Sequence, residues 1–111
     1  ELAGHAQALA KAWQQVDSAT QAAWATGEPG EALANAVPYM QAFGHTVLAW
    51  IWLDVALAAL AADASKSIAA TAGRMGATAY FYHYELPKTA AWLQVVENRD
   101  MTCANFQEDA F

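Results

Sequence analysis

Residues 35–62 read NAVPYMQAFGHTVLAWIWLDVALAALAA, and this stretch decides the fold. From Met40 to Ala62 the chain is apolar nearly all round a 3.6-residue helix, with Phe43, Val47, Leu48, Trp50, Ile51, Trp52, Leu53, Val55, Leu57 and Leu60. A helix of that kind is either central in a bundle or placed in a membrane. Its longest run without a strongly polar residue, Thr46 to Leu53, is preceded by His45 and stopped by Asp54. A spanning helix needs about 20 predominantly apolar residues, and a mid-span carboxylate costs roughly 2.5–3.5 kcal/mol on insertion scales. Neither flank clusters Lys or Arg. The stretch is therefore expected to be the most buried helix of a bundle, with no membrane as partner. Asn35 as N-cap puts Pro38 in the first turn, whereas a start near Glu31 would demand a kink.

The segments on either side read as partners for that helix. Upstream, Leu2, Leu9, Trp13, Val16 and Trp24 recur at helical spacing, with Thr20 filling a place between them. These predict an amphipathic helix from Leu2 to about Ala25. Gly27 then supplies a left-handed cap, and Thr26 to Gly30 supply turn chemistry. Downstream, Asp63–Ser67 breaks the apolar pattern and offers capping residues. A third stripe runs Ile68, Ala72, Met75, Ala79, Tyr82, Leu86 and, past Pro87, Ala90 and Leu93. Either one long helix kinks near His83, or two helices meet with Pro87 in the first turn of the second; the continued phase favours the kink. Residues 98–111 lose periodicity and read as a tail, pinned by Phe106 and Phe111.

Composition agrees with an all-α class. Alanine, the best helix former, makes up about a quarter of the 111 residues, while strand formers are sparse. The chain is long enough for one core and so for one domain over 1–111, an antiparallel bundle of three to four helices. With a net charge of −6 and only five Lys and Arg, it has no footprint for a nucleic-acid backbone and no basic stripe for an anionic membrane surface. Cys103 is the sole cysteine, which rules out an internal disulfide and suits a reducing, cytoplasmic setting. The chain opens on Glu1 with no charged-then-apolar leader, so a piece cut from a longer polypeptide, or a processed product, is expected.

Chemistry-bearing residues are few. Gly73 and Gly76 lie inside a helical pattern without a preceding strand, so they make no phosphate loop. Gln41 and His45 are four apart and share one side of the central helix. Asp54 lies among Trp50, Ile51, Leu57 and Ala58, where burial demands a partner, and Arg74 is the nearest cation on the following helix. A pair that fixes helix register is the favoured reading over a ligand-facing pocket or plain exposure. In Tyr80–Glu85 aromatic residues dominate. His83 and Glu85 are two apart, which is wrong for ligands on one helix face, so no metal site is expected even with His5 and His45 elsewhere. Tyr80 and Tyr84, with Trp92 beyond the proline, are candidates for a contact surface and self-association.

The stretch Asn35 to Trp50, with its apolar continuation to Ala62, and the stretch Ala79 to Pro87 are similar to the extra C-terminal domain of long acyl-CoA dehydrogenases, such as the methylmercaptopropionyl-CoA dehydrogenase type. The ending Glu108-Asp109-Ala110-Phe111 resembles theirs too. That resemblance implies a flavoenzyme parent, which binds FAD and removes the α and β hydrogens of an acyl thioester using a carboxylate base. In that family the base and most of the flavin site belong to preceding domains. No glutamate here matches the motif, so no catalytic residue carries over and no cofactor is expected on this chain alone. The implied partners are the upstream dehydrogenase core and further copies of the subunit. The chain departs from the family pattern at Asp63–Ser67, where relatives carry a longer segment. The rival reading is a stand-alone helical bundle gripping a protein or an apolar ligand through its aromatic surface.

Overall fold

The computed structural model describes residues 2–62 and 67–110. Residues 63–66, most of the polar link, and Phe111 lie outside them. Helix α1 (Ala3–Ala23) ends where expected: Gly27 takes a left-handed φ of 72°, and its N–H bonds Trp24 O at 3.0 Å. The connection then makes a single helical turn, α2 (Pro29–Ala32), with Pro at its start. Helix α3 (Ala36–Ala61) follows with Pro38 in its first turn. Asn35 precedes it without capping it, contrary to expectation. Its amide donates instead to Val95 O at 3.2 Å and Asp100 O at 2.8 Å, tying the start of α3 to the end of the chain's last long helix.

Beyond the link, Ser67 caps α4 (Ile68–Tyr80) by accepting from Ala70 N at 3.3 Å. The chain continues through a π turn (Phe81–Glu85) into α5 (Lys88–Glu97). This π turn answers the question posed by Pro87. A proline in a regular α-helix clashes with the carbonyl four residues back. Here Leu86 N reaches Phe81 O at 2.8 Å, a five-residue step that loosens the turn before Pro87. Pro87 keeps helical angles, so α4, the π turn and α5 form one long rod. It ends in a Schellman motif: Arg99 is left-handed (φ 48°), Asp100 N bonds Val95 O at 3.1 Å, and Arg99 N bonds Val96 O at 3.0 Å.

Three rods result. Thr20 meets Tyr39 and Trp13 meets Phe43, so α1 and α3 run antiparallel. His45 meets Glu85 and Trp52 meets Thr78, so α3 and the third rod do likewise. Among the described residues every regular element is helical. Alanines carry the closest approach, with Ala12, Ala19, Ala42, Ala49 and Ala56 buried to 4% exposure or less. Larger side chains (Val16, Leu53, Phe81, Tyr82, Leu86, Leu93, Val96) fill the gaps around them. Trp24, expected on the buried face of α1, is 46% exposed, because the contact runs along Ala12, Val16, Ala19 and Ala23 instead.

The largest departure from expectation is α3. It buries one stripe, Ala42, Thr46, Ala49, Leu53, Ala56 and Ala59, and leaves its other side uncovered. Two neighbouring rods cannot surround a third, so a helix apolar on all sides remains apolar toward the outside. By length and composition α3 could cross a membrane, and only 22% of its most apolar window is buried within the fold. The principal extents of 63 × 30 × 17 Å describe an elongated, thin molecule.

Candidate functional site

The polar residues that do meet form a link between α3 and the π turn. His45 Nε2 lies 3.2 Å from Glu85 Oε1, and Lys88 Nζ donates to Glu85 Oε2 at 2.7 Å. A carboxylate only accepts, so His45 Nε2 carries the proton in this bond. His45 and Glu85 are each 23% exposed, and Lys88 faces water. Phe81 and Trp92 flank the imidazole, at ring-centroid distances of 5.5 and 4.8 Å, with Trp92 edge-on. The Lys88 ammonium, then the His45 hydrogen bond, hold the Glu85 carboxyl below its ordinary range, and Glu85 in turn raises the Lys88 amine. The π turn matters here because it sets the phase that points Glu85 at α3. The 40-residue separation of His45 and Glu85 hid this contact from any local motif. The 4.8 Å approach of Trp92 to His45 was equally invisible.

A second cluster sits on the side of the π turn that faces α1. His5 stacks on Tyr82 at 4.5 Å and meets the edge of His83 at 5.7 Å. Burial and then the neighbouring His83 lower the pKa of His5. Tyr82 donates to Ala49 O at 2.8 Å, and burial, aided by the charge of Asp54, pushes its hydroxyl up to about 12.

Asp54 and Arg74 were expected to pair inside the fold. Both are exposed, and the ion pairs among the described residues are His45–Glu85 and Lys88–Glu85. Asp54 lies on the uncovered side of α3, where water satisfies it, so burial never forces a partner on it. Gln41 is exposed as well, so it does not join His45 in the link. Tyr80 and Tyr84 stack on each other at 5.0 Å and stay 55% and 66% exposed. Trp92 packs beside Val16, Leu93 and Val96 against His45 instead of extending the tyrosine pair.

Residues 1–107 match the family model described as acetyl-CoA dehydrogenase C-terminal like. The chain belongs to that family. No curated protein and no solved structure matches it. Domains of this family are typically part of FAD enzymes. The cleft walled by Leu33, Asn35, Val37, Pro38, Val95 and Asp100 encloses about 370 Å³ and carries no cation for a pyrophosphate. The cleft between α1 and α5 around Ala8, Lys11 and Leu86 encloses about 260 Å³ with one lysine at its wall. Neither has a glycine-rich backbone cradle at a helix start. These residues do not fit a flavin dinucleotide by themselves. Among the described residues no group of three or more His, Cys, Asp or Glu gathers around one point.

Proposed function

We propose that this chain is the C-terminal helical domain of an FAD-dependent acyl-CoA dehydrogenase of the cytoplasm, and that it braces the catalytic core without supplying a catalytic residue. The family match over residues 1–107 carries this reading. The flavin, bound by the core, accepts the hydride in that chemistry. The methylmercaptopropionyl-CoA type is one member of the class covered. The contribution of this domain is rigid surface: the His45–Glu85–Lys88 link locks the third rod to α3, and the stacked Tyr80–Tyr84 pair presents an aromatic patch with polar tips. Such rings suit a protein boundary. The same patch also favours the second reading, a bundle that grips some other protein.

The test is capture of a tagged dehydrogenase core by this chain, from the same genome, with the chain in wild-type form and as Tyr80→Ser, Tyr84→Ser. Wild-type chain should co-purify with the core and raise its melting temperature, while flavin occupancy of the core stays constant. The double variant should bind more weakly by roughly tenfold or more. A core indifferent to the chain in both measurements would overturn the proposal.

A further inference from the structure

We propose that the hollow at the corner of α1, α2 and α3 binds a small neutral aromatic molecule carrying one hydrogen-bond donor, a phenol in the simplest case. Small residues make the space. Ala32 of the α2 turn and Ala36 at the start of α3 leave about 220 Å³, which Trp24, Leu33 and Met40 wall. A cavity of about 150 Å³ takes a benzene ring, so this one takes a single ring with a substituent. The three large walls are between 46% and 61% exposed, and a bound ring would take their apolar surface out of water. They come from the end of α1, the end of α2 and the start of α3, so a ring is met from several sides. The open flank farther along α3 would meet it from one side only.

The ligand's polar group follows from where the protons are. Thr20 and Tyr39 also line the hollow, and each hydroxyl has one proton to give. Thr20 Oγ1 donates its proton to Val16 O at 2.8 Å. The 2.8 Å bond between Thr20 Oγ1 and Tyr39 Oη therefore runs from tyrosine to threonine. Both protons are then committed, and Tyr39 Oη has only lone pairs to offer. A ligand O–H or N–H can bond it, whereas an ether, carbonyl or carboxylate oxygen cannot. Among the described residues no charged side chain lines the hollow, and the α2 turn beside it carries Glu31. A carboxylate ligand finds repulsion there and no cation. An ammonium would bring three donors to one acceptor among apolar walls. A neutral ring with a single donor matches both the walls and the oxygen.

This proposal is separate from the family reading, because the experiment uses the chain without any dehydrogenase core. Titrations with p-cresol, toluene, 4-methylanisole and 4-methylbenzoate, followed by the NMR cross-peak of the Trp24 indole N–H, test the ring in four forms. It carries a donor, no polar group, an acceptor alone and a charge in turn. p-Cresol should bind with a Kd of about 1 mM or tighter, as its size permits. It should bind roughly tenfold more tightly than the other three, the difference that one neutral hydrogen bond makes. Thr20→Val, Tyr39→Phe removes both oxygens and should bind p-cresol and toluene alike. Ala36→Leu, a change at an exposed residue that fills the hollow, should abolish binding of every probe. Leu33→Ala takes away a wall and should weaken p-cresol severalfold, which keeps the reading should Ala36→Leu misfold. Equal affinity of the wild-type chain for p-cresol and toluene overturns the proposal. So does 4-methylanisole binding as tightly as p-cresol, which would make the Trp24 N–H the partner, or 4-methylbenzoate binding more tightly. Absence of any shift up to about 10 mM p-cresol, or binding indifferent to Ala36→Leu and Leu33→Ala, overturns it too. N-acetyltyrosinamide binding more tightly than p-cresol would assign the hollow to a tyrosine of a partner protein and overturn it as well.

Discussion

At the residue scale, the chemistry of Asp54 and Glu85 is set by what covers them, which neither side chain announces in the sequence. Asp54 sits among apolar neighbours along the chain, so it reads as buried. Yet it is exposed, and Asp54→Ala should shift the urea unfolding free energy of dilute protein by no more than about 0.5 kcal/mol. A loss of several kcal/mol would mean a buried partner after all. Glu85 reads as one more solvated acid, and is the residue that joins two rods. Its carboxyl is held below the ordinary 4.5, first by Lys88 and then by His45. The folded value is below the unfolded one, so its contribution is complete above pH 4.5 and fades as pH falls through the folded value. Wild type should therefore unfold at higher urea than Glu85→Gln at neutral pH, and the gap should shrink progressively as the pH falls below 4.5. A gap that survives unchanged in acid would show that the ionised carboxylate is not its source.

Helix ends were the legible part at the element scale. Gly27, Pro38 and Ser67 each act through a local backbone requirement, and each sits where that requirement predicts. Burial was less legible, because alanine carries little hydrophobic signal while allowing the closest approach between rods. Pattern reading placed Trp24 in the core on size, and the contact instead follows the alanine stripe one position away. The π turn at Phe81–Glu85 was legible only as a disturbance near Pro87, since its extra residue shows in a hydrogen bond and not in residue type. The alanine stripe makes a sharp expectation. Ala49 is fully buried and its carbonyl accepts from Tyr82, so Ala49→Leu should destabilise the fold by about 1–3 kcal/mol through overpacking. Ala58→Leu, on the exposed side of the same helix, should stay within about 0.5 kcal/mol in dilute solution. Equal effects at the two positions would contradict the assignment of faces. Thermal or urea unfolding of both variants decides it.

For the whole molecule, the rods are unequally supported along the long axis. A chain of this length packed as a globule has a radius of gyration of about 13 Å, and this one has 18.1 Å. The difference arises because α1 begins at Ala3 beside the π turn, where His5 meets Tyr82. It therefore supports α5 and the first part of α3, while α4 leans chiefly on α3. Thr78 is the one buried residue of α4, held by bonds to Arg74 O and Trp52 O, whereas α5 buries Thr89, Leu93 and Val96. Local stability follows local burial, so the two ends should open independently. Native-state hydrogen exchange on dilute protein should find α4 and the last turns of α3 opening first. Amides of α5 and the middle of α1 should be protected at least about tenfold more, near the limit set by global unfolding. Uniform protection along the 63 Å axis would mean that α4 is held as firmly as α5, and the unequal support described for these rods would then be wrong.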